Sequence, residues 1–373
     1  MSTIQLRGEV LWRDAPGGQA TWVKGDFHIR DGRIFKGTPE GGADRTLEGW
    51  AIPGLCDVHA HIGLEMSGET STEVAYRQAV ANRDAGTLLI RDCGTPGDTR
   101  WVQEDASLPV LLRAGKHVAR PKRYIRGYAV EVEDVSDLPE VLVAQAHESN
   151  GWVKIVADWI DRSNGADSDL EPLWPTEVLV DAIAAVHEVG ARVVAHTFAH
   201  KTVDGLLEAG IDCIEHGTGM DKDQIAEAAR RGIPVTPTMM QVGLFEEFAA
   251  QGAHKYPVYA STMQAMFTRR VQQVRAFIDA GVQLLPGTDS GGYQEHGSLP
   301  RELALWQEEA GLQAEEILDL ATWRCRDFLG VSSLEEEAQA DLVVYDLDPR
   351  KNIEVLAGAK TIILRGDVHP HAD

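Results

Sequence analysis

Eight short apolar runs recur through the middle of the chain, at residues 52–58, 87–91, 110–113, 152–157, 192–195, 211–214, 233–235 and 282–285. Helical patterns at 137–149, 176–189 and 260–280 lie between several of them. Five runs follow almost directly on a glycine: Gly86, Gly190, Gly210, Gly232 and Gly281. A glycine just past a helix supplies the left-handed residue that ends it, so each marks a helix handing over to a strand. Eight buried strands alternating with helices predict an α/β fold of the (β/α)8 TIM-barrel type. An open doubly wound sheet is the rival, but no glycine-rich phosphate loop follows the first run.

The two ends read differently. Alternating runs at 5–11 and 27–30, a hairpin signal at Asp31-Gly32, and strand-like runs at 340–346 and 361–366 point to β structure. We expect a small β-sandwich domain built from residues 1–50 and 334–373, around a barrel over 51–333 that carries the catalytic site. The 373-residue length accommodates both.

Charge and composition narrow the partners. The net charge of -23 repels nucleic acid and anionic membranes. No apolar run approaches the roughly 20 residues that cross a bilayer, and the first ten residues lack a secretory pattern, so the cytoplasm is the expected location. A homo-oligomer is compatible with this composition. Cys56, Cys93, Cys213 and Cys325 are scattered without a CxxC pair and read as reduced core thiols.

Barrel sites form at the C-terminal ends of the strands. The first run leads into His59 and His61, which alternate and therefore point the same way. The fourth carries Lys154, the fifth ends in His196, the sixth in His216, and the eighth reaches Asp289. Imidazole and carboxylate are ligands for zinc or a similar first-row ion. His200, four residues after His196, has the spacing of a helical zinc pair, but it follows a strand and reads as a supporting or surface residue. The basic run Lys116, His117, Arg120, Lys122, Arg123 and Arg126 follows the third strand, and a glycine-rich loop with Tyr293 and His296 follows Asp289. His117, Arg120, Tyr293 and His296 are the expected substrate contacts, with the basic loop gripping a substrate carboxylate.

The stretch from Pro53 to His61, Lys154 on the fourth strand, a histidine after each of the next two strands and Gly287-Thr288-Asp289 together resemble the amidohydrolase superfamily. The phrases at 209–217, 86–92 and 340–344 resemble its imidazolonepropionase-like and metal-dependent prolidase and carboxypeptidase branch. The turn at 333–339 departs from the usual glycine- and proline-containing form. The resemblance implies two divalent ions, zinc by donor type. His59, His61 and Asp289 would hold one, His196 and His216 the other, and Lys154, carboxylated, would bridge them. It implies a metal-activated hydroxide cleaving an amide of a dipeptide or N-acyl amino acid, with Asp289 moving the proton. Opening of a cyclic amide or imidazolone is a second reading, disfavoured by Lys154. Deamination, lactone or phosphotriester hydrolysis fit the same scaffold, and a non-catalytic barrel is disfavoured because all six ligands are present.

Overall fold

The computed structural model describes residues 3–358 and 360–369; residues 1–2, 359 and 370–373 of the expected small domain lie outside them. The chain begins in a strand, Ile4–Arg13, that pairs antiparallel with Ala20–Arg30 and parallel with Arg45–Pro53. Asp31 and Gly32 both have positive φ, 52° and 77°, the backbone that a tight hairpin to Arg33–Lys36 requires. Three late strands, Leu342–Tyr345, Lys360–Leu364 and Asp367–His369, join at the other side, giving one seven-stranded sheet from both ends of the chain. Arg33 bridges Gln339, and the Ala340 N–H donates to the Gly32 carbonyl at 2.8 Å. The sheet therefore curls on itself over Trp12, Phe27, Ile34, Leu342 and Ile363.

Two arcs of parallel strands occupy the middle. One orders Ser290–Gly292, Leu55–Glu65, Thr87–Asp92 and Val110–Arg113. The other orders Val130–Glu131, Val118–Ala119, Trp152–Val156, Arg192–Thr197, Cys213–His216 and Val235–Thr236. They meet at two seams. On one side the Asn150 N–H donates to the Arg113 carbonyl at 2.8 Å; on the other, Val235 bridges Leu284 and the Val58 N–H donates to Pro286 at 2.9 Å. The eighth apolar run thus makes one bridge rather than a regular strand.

Helices cover the outside for reasons visible in sequence. Thr176–Glu188 buries Leu179, Ala182, Ile183 and Val186, a single helical face. Lys222–Arg231 starts on an Asp221–Gln224 capping box and stops at Gly232, φ 68°. Pro257–Asp279 opens on a proline at its first turn, where no backbone donor is lost. All four cysteines are buried and free.

Candidate metal centre

His59 and His61 sit on the strand Leu55–Glu65, which is buried along ten of its eleven residues. Alternation along it turns both rings to one side, and both Nε2 atoms reach the same oxygen: Asp289 Oδ1, at 3.1 Å from His59 and 3.3 Å from His61. Asp289 is held in place by its own N–H, which donates to the His59 carbonyl at 2.7 Å. Asp57 ties the same two segments together: it accepts from the His59 N–H at 3.0 Å and from Thr288 Oγ1 at 2.7 Å. Burial pushes the Asp57 carboxyl up to about 6 against those hydrogen bonds.

His196 and His216 end neighbouring strands, and His196 Nδ1 faces His216 Nε2 at 3.0 Å. His216 Nδ1 lies 2.7 Å from Thr238 Oγ1, which fixes the far side of its ring. Lys154 Nζ lies 3.4 Å from His59 Nε2, and the residue is only 3% exposed. The structure therefore gathers all six expected ligand residues at one end of the parallel arcs. His216, Thr238 and Asp289 adopt positive φ of 66°, 43° and 56°, an unfavourable backbone for non-glycine residues that the surrounding bonds sustain.

These separations suit a divalent cation. Two ligand atoms at about 2.0–2.1 Å from a tetrahedral ion stand about 3.3 Å apart. The His59–Asp289, His61–Asp289 and His196–His216 spacings, 3.0–3.3 Å, match that value. Electrostatics agree. Burial, with His216 and Lys154 nearby, holds His196 well below the usual imidazole range, and burial pushes His216 down to about 3. Both rings are neutral at pH 7, the ligating form. Burial opposes ionisation of Asp289, but the charge on His59 and hydrogen bonds from both imidazoles keep it well below the usual carboxylate range. His196 Nε2 is a further buried atom without a protein partner.

A second triangle of donors, His59, Cys93 and Glu215, is close-set but unsuited to a cation. Glu215 Oε1 is already in contact with the Arg91 guanidinium, and burial keeps the Cys93 thiol protonated. Glu215 Oε2 instead lies 2.7 Å from His59 Nδ1, behind the ligand face of the ring. Arg91 and Glu215 are both fully buried, and the guanidinium stacks 4.5 Å from the Trp152 ring centre and donates to the Val58 carbonyl at 2.8 Å. Burial and Lys154 oppose protonation of His59, but Glu215 and Asp289 outweigh them and its pKa is raised.

A cavity of about 320 Å3 opens over His59, His61, Lys154, His196 and Asp289. His117 and Tyr293, two expected substrate contacts, line it. Arg120 and His296 do not. Arg120 reaches the Glu133 carbonyl at 3.2 Å, and His296 Nδ1 lies against Asn82 and Ser290 at 3.0 and 3.2 Å. Arg123 is spent on the Trp159 and Glu171 carbonyls, and His200 faces Gln224. From the basic loop the wall takes Tyr124, Ile125 and Tyr128 instead. Asp57, Arg91, Glu215 and, of the aromatic wall, Tyr124, Trp159 and Phe248 were not singled out in sequence. Arg91 and Glu215 carried a signal: a charge inside an apolar strand run must find a buried partner.

Residues 50–367 match the amidohydrolase family model. Uncharacterized proteins of Mycobacterium tuberculosis and Mycobacterium bovis are 46% identical over 339 residues, covering 91% of this chain and 90% of theirs. Among solved structures, a Xaa-Pro dipeptidase with methionine bound in its active site superposes with a TM-score of 0.83 at 20% identity, covering 99% of this chain and 100% of that one. An ochratoxinase of A. niger superposes with a TM-score of 0.80 at 17% identity, covering 98% and 95%. At these identities the likeness is one of fold.

Proposed function

The chain belongs to the amidohydrolase family, and from that premise we propose that it is a metal-dependent hydrolase of an amide C–N bond, in a dipeptide or N-acyl amino acid. The observation that carries this reading is the meeting of two imidazole Nε2 atoms on Asp289 Oδ1, with Lys154 and the facing His196–His216 pair beside them. The two seams between the arcs support reading 51–333 as one closed (β/α)8 barrel, and the curl of the terminal sheet supports reading 1–50 and 334–373 as a small β-sandwich domain.

In this account His59, His61 and Asp289 would hold one ion and His196 and His216 another, zinc by donor type. Lys154, 3% exposed and 3.4 Å from His59 Nε2, would join the two sets as a carbamate, formed when its amine adds carbon dioxide with an N–C bond made and a proton lost. When bound, the ions would supply a polarised scissile carbonyl and a water acidified toward a pKa of ~7. Asp289 accepts the proton of the attacking water and returns it to the leaving nitrogen. Its backbone bond to His59 keeps the carboxylate aimed while the proton moves. His117 and Tyr293 orient substrate from the wall.

The test is a panel of dipeptides and N-acyl amino acids with zinc-loaded protein. Turnover that disappears on chelation and in Asp289→Asn supports the reading. Turnover of a lactone or imidazolone, with no amide hydrolysed, overturns it.

A further inference from the structure

The wall above the ligands is built of rings. Tyr124 packs edge-on against Trp159 at 4.8 Å, and Phe248 packs edge-on against Tyr293 at 5.0 Å. All four line the cavity, and they arrive from four separate segments of the chain. Tyr293 is 45% exposed, so its ring leaves a large face unburied in a chain whose other aromatics are mostly covered.

The charges in the wall are equally selective. Beyond the ligand residues, the charged side chains lining the cavity are Arg162 and Lys255. Both are exposed, and neither has an ion-pair partner among the described residues. The one carboxylate in the wall is Asp289, which is engaged by His59 and His61. A chain of net charge -23 has thus kept its acids out of this mouth and placed two cations there. Exposed cations bind weakly one at a time and are screened by salt, so they orient and attract an anion rather than hold it. Ring-on-ring contact, removed from water, supplies the affinity.

Resting on the hydrolase reading above, we infer that the substrate is an amide that carries both an aromatic ring and an anionic group. The ring lies between Trp159–Tyr124 and Phe248–Tyr293, and the anion faces Arg162 and Lys255 at the rim. This assigns the anion to residues outside the basic loop 116–126, whose Arg120 and Arg123 are turned to backbone carbonyls.

The experiment reads binding without turnover, so it stands apart from the hydrolase reading. Metal-free protein is titrated with N-benzoylphenylalanine, with its primary amide and with N-acetylalanine, by calorimetry and by quenching of tryptophan fluorescence. The expected order is N-benzoylphenylalanine tightest, on the order of tenfold over each of the others, with the preference for the acid over the amide shrinking as salt is raised. Arg162→Glu should remove most of that acid preference, and Trp159→Leu should weaken both aromatic ligands together. Aromatic binding of this pattern with no amide turned over by the zinc-loaded enzyme supports the cavity assignment and sinks only the hydrolase reading. Equal binding of N-benzoylphenylalanine and N-acetylalanine overturns the aromatic assignment. Equal binding of the acid and its amide, unaffected by Arg162→Glu, overturns the anionic one.

Discussion

Replacing Glu215 with glutamine takes one charge out of a fully buried ion pair while leaving its shape nearly unchanged. Arg91 would keep the Val58 carbonyl at 2.8 Å and the Trp152 ring at 4.5 Å, but lose the carboxylate that neutralises it. Removing one partner of a buried pair costs about 3–5 kcal/mol. An unfolding entropy of about 2.1 cal/mol/K per residue gives a chain of this length about 0.8 kcal/mol/K. The melting temperature of the metal-free protein should therefore fall by about 4–6 °C. Glu215 also holds His59 by Nδ1, at 2.7 Å, which leaves Nε2 to face Asp289. Loss of such a support typically weakens metal binding about 10–100-fold. Scanning calorimetry of metal-free protein reads the first effect, and zinc competition against a chromophoric chelator reads the second. If Glu215→Gln melts within about 1 °C of the wild type and binds zinc equally well, Glu215 neither neutralises Arg91 nor supports His59, and the reasoning is wrong.

Lys154→Ala should lose the second ion and most activity, with partial rescue by a short carboxylic acid; unmodified amine density in a metal-replete crystal structure would count against the bridge. Zinc binding to metal-free protein should release protons. The pKa of His59 is raised, so its ring keeps a proton in the metal-free fold to higher pH than an ordinary imidazole; an ion must displace that proton, so apparent affinity rises with pH through that range. Calorimetry in buffers of different ionisation enthalpy measures the release, and a binding heat independent of buffer contradicts it. Gly287→Ala would place a Cβ 2.5 Å from Thr236 Cγ2 and 2.7 Å from His59 Cβ, between two packed strands. We expect a loss of about 1–3 kcal/mol of stability together with weaker metal binding, checked by denaturation and chelator competition.

The convergence of the six expected ligand residues was legible because each stands at a fixed place relative to a buried strand. Alternation alone aligns His59 with His61, and strand ends carry His196, His216 and Asp289 to one side. The boundary of the first strand was less legible. The apolar run 52–58 spans a junction: Ile52 and Pro53 pair with Val343 and Leu342 in the terminal sheet, and the inner strand starts at Leu55. Nothing local distinguishes an apolar residue of one sheet from that of the next. The eighth run, 282–285, is apolar enough to be buried but makes only the bridge at Leu284. The cavity wall was least legible: Tyr293 was expected from its glycine-rich loop, but Tyr124, Trp159 and Phe248 join it through tertiary contacts between distant segments. A basic loop in an acidic chain suggested an anion grip, yet Arg120 and Arg123 turn to the backbone carbonyls of Glu133, Trp159 and Glu171.

The central claim is that two divalent ions, held by these six residues, perform amide hydrolysis. It is tested most directly by titrating zinc into metal-free protein while following hydrolysis of an N-acyl amino acid. The account predicts no turnover without metal and a plateau at two equivalents per chain. Full activity in metal-free protein, or a plateau reached at one equivalent or fewer, would contradict it.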